Sequence, residues 1–182
     1  MEEKKKIRKL ILSKLKGKVN RDCIESELWE LFFNSSMYVE SETIAITVSK
    51  FPELSTINAI HSMIEDQKKV VVPKTCLSTN SLAFHQISSL NQLTPGVMGI
   101  LEPNKNSDVV DLEEIETIVV PGVAFTKEGY RIGFGGGFYD RLLSNYQGNT
   151  CSLLFQEQLV ESIPVEDHDI PVRELFIENK TR

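Results

Sequence analysis

Between residues 43 and 73 the chain reads strand, helix, strand, and that order constrains its fold more than any other feature. Thr43-Ile44-Ala45-Ile46-Thr47-Val48 is a β-branched run, residues 55–67 carry Ile57, Ile60 and Ile64 at helical spacing, and residues 69–73 return to a valine-rich strand. Such a unit favours parallel pairing through a right-handed crossover, so the carboxyl ends of the two strands share one edge of the sheet. Further strands are expected at residues 81–87, 117–120, 151–155 and 174–177, with the Pro-, Gly- and Asn-rich residues 94–108 as loop. Ahead of them, residues 4–16 place Ile7, Leu10, Ile11 and Leu15 at helical spacing. Residues 22–34 do the same with Ile24, Leu28, Leu31 and Phe32, behind Asp22 as a candidate N-cap. A last helix is expected over residues 138–146. The pattern predicts an α/β protein, a three-layer α/β/α arrangement with a mainly parallel central sheet and helices on both faces.

A chain of 182 residues suits a single domain, 1–182, and 41% hydrophobic with 25% charged residues is ordinary for a globular protein. Its apolar runs are too short to cross a bilayer, and the Lys/Glu-rich N-terminus has no apolar stretch of the secretory kind, so a cytoplasmic protein without membrane partners is expected. Cys23, Cys76 and Cys151 are odd in number and lack Cys-x-x-Cys spacing, which argues against a disulfide framework or zinc cluster and for reduced thiols in the core. The net charge of -6 weighs against nucleic acid as a partner. Against that balance stands a basic run, Lys4, Lys5, Lys6, Arg8 and Lys9, which fits either a solvated helix face or a local anion site.

The segment richest in chemistry is Val119-Val120-Pro121-Gly122-Val123-Ala124-Phe125, followed by Gly129-Tyr130-Arg131-Ile132-Gly133-Phe134-Gly135-Gly136-Gly137-Phe138-Tyr139-Asp140-Arg141. Four glycines in five positions before a helix leave backbone N–H groups unobstructed, which suits phosphate oxygens. The spacing is not that of a Walker A loop, because Phe138 and Tyr139 stand where Lys and Ser/Thr belong. Nor is it a dinucleotide fingerprint, whose third glycine is replaced by Phe138. Glycines alone also fit a tightly packed turn. Arg131 and Asp140 add the opposite charges that a phosphate with its magnesium ion needs. The three histidines, His61, His85 and His168, have no metal-ligand spacing and no nucleophile partner.

The run from Pro121 to Phe125 and the run from Gly129 to Arg141 together closely resemble the hallmark segment of the 5-formyltetrahydrofolate cyclo-ligase family. The resemblance extends to Lys4-Lys5-Lys6-Ile7-Arg8 near the start, to Phe51-Pro52-Glu53, and to residues 163–169, which include Ile163-Pro164 and His168-Asp169. It implies an enzyme that uses ATP and Mg2+ to cyclise 5-formyltetrahydrofolate to 5,10-methenyltetrahydrofolate with release of ADP and phosphate, working as a monomer on this small-molecule substrate. Lys4 and Arg8 are then expected at the ATP phosphates, and their i, i+4 spacing lets them share a target. Arg131, Ile132, Gly133, Phe134, Gly135, Gly136, Gly137, Phe138 and Tyr139 map onto the nucleotide loop, and Asp140 and Asp169 onto the metal carboxylates. Val48, Glu53, Phe134, Gly135, Gly136, Gly137 and Phe138 map onto the folate contacts, and Arg131 and Glu53 carry the catalytic roles.

By the same resemblance the formyl oxygen attacks the γ-phosphate, the second folate nitrogen captures the phosphorylated carbon, and phosphate leaves. Phosphoryl transfer of this kind asks for positioning and charge neutralisation, which matches Lys, Arg, Asp and bare backbone in place of a nucleophilic triad. Phe138 and Phe134 depart from the family pattern, which commonly has tyrosine at the first position and tyrosine or a basic residue at the second. Stacking survives there and the hydrogen bond of a hydroxyl does not. Two other readings fit a glycine loop on an α/β fold: an enzyme of sugar phosphates or coenzyme A, and a nucleotide-sensing module without chemistry.

Overall fold

In a computed structural model, which describes residues 2–104 and 106–178, the amphipathic N-terminal segments form α1 (Glu2–Lys16) and α2 (Arg21–Phe33), followed by a short α3 (Ser36–Glu40). The predicted strand–helix–strand unit is present as β1 (Thr43–Ile46), α4 (Ile57–Glu65) and β2 (Lys69–Cys76), with β1 and β2 parallel and Ile44 opposite Val70. β3 (Ser81–Ile87) folds back antiparallel on β2. The chain continues through β4 (Leu93–Pro95), β5 (Leu101–Pro103), β6 (Val109–Val110) and β7 (Thr117–Val119), and then through the small hairpin of β8 (Ala124–Phe125) and β9 (Arg131–Ile132). It ends with α5 (Phe138–Leu143), β10 (Asn149–Leu154) and β11 (Glu174–Ile177).

Seven of these strands form one sheet in the order β11-β10-β7-β1-β2-β3-β6. The first five are mutually parallel and the last two pairings are antiparallel, so the sheet is mainly parallel with an antiparallel edge. Alternation along the central strands divides the core in two. Ile44, Ile46, Val70, Val72 and Val119 face a layer built from Ile11, Leu15, Leu28, Phe32, Ile60 and Met63 of α1, α2 and α4. Ala45, Val71, Ile118 and Val120 face a thinner layer of Leu143, Tyr146, Val172, Val110 and Ile115. Phe32 is fully enclosed and makes edge contacts with Trp29, Tyr38 and Phe176, which pins α2 to the edge strand β11.

Four details differ from the sequence reading. Residues 94–108 are not plain loop: Leu93 to Pro103 pair as the β4–β5 hairpin, bracing Glu102, whose buried carboxylate accepts from the Thr75 N–H at 3.2 Å. α5 stops at Leu143 and not at Tyr146, because Tyr146 turns inward and its hydroxyl donates to the Ile115 carbonyl at 2.9 Å. Asp22 lies inside the first turn of α2, and the N-cap is Asn20 in a left-handed conformation. Of the three free thiols only Cys151 is in the core, with Cys76 half-buried and Cys23 exposed.

From β1 the chain crosses through α4 to β2 on one side, whereas β7, β10 and β11 build outward on the other. The sheet order therefore reverses between β1 and β7. A crevice at the carboxyl ends of the strands is expected at such a point.

Candidate active site

A cleft opens at this reversal, lined by Thr47 and Ser49 after β1, by Val120, Pro121 and Gly122 after β7, and by Glu53 and Trp29. The loop carrying Glu53 is fixed from two sides. From α2, Arg21 Nη2 donates to the carbonyls of Glu53 at 2.7 Å and Pro52 at 3.1 Å, and Trp29 Nε1 donates to the Ser55 carbonyl at 2.8 Å. Glu25 holds Arg21 at 3.0 Å and accepts from the Ser55 N–H at 3.2 Å. At the other end, Thr56 Oγ1 donates to the Thr47 carbonyl at 2.9 Å and accepts from the Ser49 N–H at 2.9 Å, closing the loop on its own base. Glu53 Oε1 accepts from the Lys50 N–H at 3.2 Å. Burial pushes the Glu53 carboxyl up to about 7, against the opposing influence of the Lys50 N–H and its charge. A carboxyl tuned to neutrality inside a cleft can hold or accept a proton at a ligand nitrogen.

The glycine loop lies beside this cleft. Gly135 and Gly137 have φ of +104° and +66°, conformations that L side chains rarely adopt, so the loop's course depends on glycine at these two positions. Phe134 is 47% exposed at its crest, and the Phe138 ring lies against Gly136. α1 approaches the loop with the i, i+4 pair: Arg8 Nε donates to the Gly133 carbonyl at 2.8 Å, and its Nη2 lies 3.6 Å from where a Cβ on Gly135 would stand. Tyr139, the second residue of α5, hydrogen-bonds through its hydroxyl to Thr47 Oγ1. That bond joins the helix that follows the glycine loop to the lining of the Glu53 cleft. Burial pushes the tyrosine hydroxyl up to about 12, so it remains a neutral partner across the working range.

Two carboxylates close the far side of the loop. Asp140 Oδ1 accepts from Arg131 Nη2 at 2.8 Å, and Asp169 Oδ2 accepts from Lys4 Nζ at 2.7 Å and from the Glu166 N–H at 2.9 Å. Burial acts to raise Asp169, but Lys4 and the Glu166 N–H outweigh it and hold the group below its ordinary range. Each carboxylate keeps one oxygen, Oδ2 of Asp140 and Oδ1 of Asp169, without a hydrogen bond among the described residues. No cluster of three or more metal-ligating side chains occurs among the described residues. Two carboxylates, each with an oxygen free of hydrogen bonds among the described residues, suit a Mg2+ ion that takes its other ligands from phosphate and water, and do not suit an all-protein cage.

The structure thus pairs Lys4 with Asp169, Arg8 with the glycine loop and Asp140 with Arg131, while Glu53 lines the cleft to which Tyr139 is tied through Thr47. Three expected residues sit differently. Arg131 is not at the mouth of the loop: its side chain is 3% exposed, enclosed below Asp140 and the chain around Ile170. Val48 is 2% exposed and points into the α1–α2–α4 layer, so it offers the cleft no side chain. Ile132 is likewise buried and acts as an anchor for the loop. Arg21, Glu25, Trp29, Thr47 and Thr56 escaped the sequence reading. Arg21, Glu25 and Trp29 recur every fourth residue and so share a helix face, a legible signal, but nothing local names the loop that this face supports.

Comparison with known proteins identifies the family and the fold. The family described as the 5-formyltetrahydrofolate cyclo-ligase family matches residues 1–178. The 5-formyltetrahydrofolate cyclo-ligase of Haemophilus influenzae is 34% identical over 143 residues, covering 76% of this chain and 76% of that protein. That of Escherichia coli is 34% identical over 139 residues, 74% of this chain and 76% of the relative. Among solved structures, the 5,10-methenyltetrahydrofolate synthetase of Aquifex aeolicus superimposes with a TM-score of 0.85 at 29% identity, over 98% of this chain and 91% of that one. The 5,10-methenyltetrahydrofolate synthetase of Mycoplasma pneumoniae shares the fold, with a TM-score of 0.75 at 19% identity over 95% of this chain and 97% of that one.

Proposed function

The chain belongs to the 5-formyltetrahydrofolate cyclo-ligase family, its activity is the ATP-dependent conversion of 5-formyltetrahydrofolate to 5,10-methenyltetrahydrofolate, and we propose that this ring closure takes place between the Glu53 cleft and the glycine loop. The observation that supports this placement is the Tyr139–Thr47 hydrogen bond, which ties the helix after the glycine loop to a residue that lines the cleft. Folate lies over the mouth of the cleft at the carboxyl ends of β1 and β7, with Phe134 and Phe138 as stacking surfaces and Glu53 at a pterin or neighbouring folate nitrogen. The triphosphate of ATP lies along residues 133–137, met by backbone N–H groups, by Arg8 and by Lys4. Asp140 and Asp169 hold Mg2+, which when bound neutralises phosphate charge.

The chain's own groups then account for the sequence of events. The loop and Arg8 orient the γ-phosphate toward the formyl oxygen, which attacks phosphorus as ADP departs. The activated formyl carbon is captured by the second folate nitrogen, that nitrogen gives up its proton, and phosphate leaves as the methenyl bridge forms. Glu53, poised near neutrality, holds or takes up a proton on the folate side of the cleft. The working form is a single domain acting as a cytoplasmic monomer. No described helix is long and apolar enough to cross a membrane.

Near-ultraviolet absorbance of the methenyl product tests the reading, with 5-formyltetrahydrofolate, ATP and Mg2+ each omitted in turn. Product is expected only with all three. Asp140→Asn is expected to cut magnesium-dependent turnover sharply, and unchanged turnover in that variant would remove Asp140 from the metal site.

A further inference from the structure

Arg131 belongs to the segment that resembles a nucleotide loop, yet its geometry differs from that of a phosphate ligand. It lies on β9, directly before the glycines, and its guanidinium is enclosed with both terminal nitrogens engaged. Nη1 donates to the Ile170 carbonyl at 2.6 Å and Nη2 to Asp140 Oδ1 at 2.8 Å. Ile170 directly follows Asp169, so one planar fork touches the side chain of one acidic residue and the backbone beside the other. Cations nearer the opening are already supplied by Arg8 on Gly133 and by Lys4 on Asp169. For Arg131 to reach a phosphate it would have to release both bonds and leave its burial site, stranding the Ile170 carbonyl.

We infer that Arg131 is a positioning residue, which fixes Asp140 and the segment bearing Asp169 at the separation from which both reach one divalent cation, and which does not itself touch the nucleotide. The inference rests on the reading of Asp140 and Asp169 as the metal carboxylates. The chemistry selects arginine for this post. A guanidinium presents two parallel N–H donors in a rigid plane and satisfies a carboxylate and a carbonyl at once, whereas an ammonium on a flexible stem is a point charge that cannot hold both at fixed spacing. Loss of such a supporting contact weakens a metal site without removing a ligand. The ion pair also takes up only Oδ1 of Asp140, leaving Oδ2 for the metal.

The test compares the full chain as wild type, Arg131→Lys, Arg131→Gln, Asp140→Asn and the double variant Arg131→Lys with Asp140→Asn. Two readouts are needed: the Mg2+ concentration for half-maximal turnover, and ATP binding by calorimetry in the presence of a chelator. Arg131→Lys is expected to raise the half-maximal Mg2+ concentration roughly 10- to 100-fold. Its metal-free ATP affinity is expected to stay within about twofold of wild type, as for an uncoupled site. In the Asp140→Asn background the same change is expected to add little, since its effect passes through that carboxylate. Arg131→Gln strands the Asp140 charge and serves as the control for fold loss, whereas Arg131→Lys retains the charge and carries the decision. A tenfold or larger loss of metal-free ATP affinity with an unchanged Mg2+ requirement would overturn the positioning role and return Arg131 to the phosphates. Additive losses in the double variant would also overturn it. If Asp140→Asn alone left the Mg2+ requirement unchanged, the metal reading itself would fall, a result distinct from failure of the inference built on it.

Discussion

Glu53 shows how far one residue's chemistry is set by neighbours that the sequence does not place beside it. A glutamate after proline reads locally as a surface charge, but the loop turns it, half-buried, into the cleft that Trp29 and Val120 also line, and burial raises it from its ordinary 4.5 to about 7. The folded state therefore binds this proton more tightly than the unfolded chain does. The stability that Glu53 contributes is complete below pH 4.5 and is lost as pH rises through about 7. Glu53→Gln keeps the shape without the ionisation, so its urea midpoint is expected to decline less than that of wild type between those two values. A decline equal to that of wild type would show that the Glu53 carboxyl is not raised by its surroundings. At this scale the sequence was informative where side chains carry fixed charge in a recognisable run, as at Lys4, Arg8 and Asp140. It assigned Val48 to the folate and Arg131 to the nucleotide without any sign of their burial, which is decided by strands and helices far along the chain.

Among the elements, the β8–β9 hairpin couples the site to the chain's last third. Gly129 at its turn has φ +88°, donates to the Thr126 carbonyl at 3.1 Å, and accepts from the Val172 N–H at 3.0 Å. A Cβ placed there would stand 2.1 Å from the Val172 carbonyl oxygen, so backbone must move. Gly129→Ala adds the strain of a left-handed residue, on the order of 1–3 kcal/mol, to that displacement. Because Val172 closely follows Asp169 and Ile170, the variant is expected to lower the melting temperature and also to raise the Mg2+ requirement. Thermal denaturation with a metal titration checks both, and a change in melting temperature alone would separate the hairpin from the metal carboxylates. The elements themselves were largely legible, since period-two and period-3.6 patterns place β1, β2, β3, α1, α2 and α4 within a few residues. The β4–β5 hairpin was not: three-residue strands built around Pro95 and Pro103 carry no usable period, and what holds them is the buried Glu102 contact with β2.

At the level of the whole molecule, stability and function share an aromatic layer, since Trp29 touches Phe32 and also lines the cleft. Phe32 ties α2 to β11 through a fully enclosed aromatic cluster, and Phe32→Ala is expected to cost about 3–5 kcal/mol by chemical denaturation. A loss well below that range would mean that neighbouring rings close over the cavity. The parallel arrangement was legible from a single strand–helix–strand unit. The position of the cleft was not, because it depends on β7 joining the free side of β1, a pairing that no local pattern announces.

The Lys4–Asp169 ion pair spans 165 residues of chain. During synthesis, at roughly 5 to 20 residues per second, the lysine leaves the ribosome about 8 to 33 seconds before its partner. For that interval the basic face of α1 has no acidic segment to meet and no site to complete. The hairpins and the strand–helix–strand unit can form meanwhile from contacts close in sequence, so the capacity to hold nucleotide and metal together arrives last, on the timetable of translation.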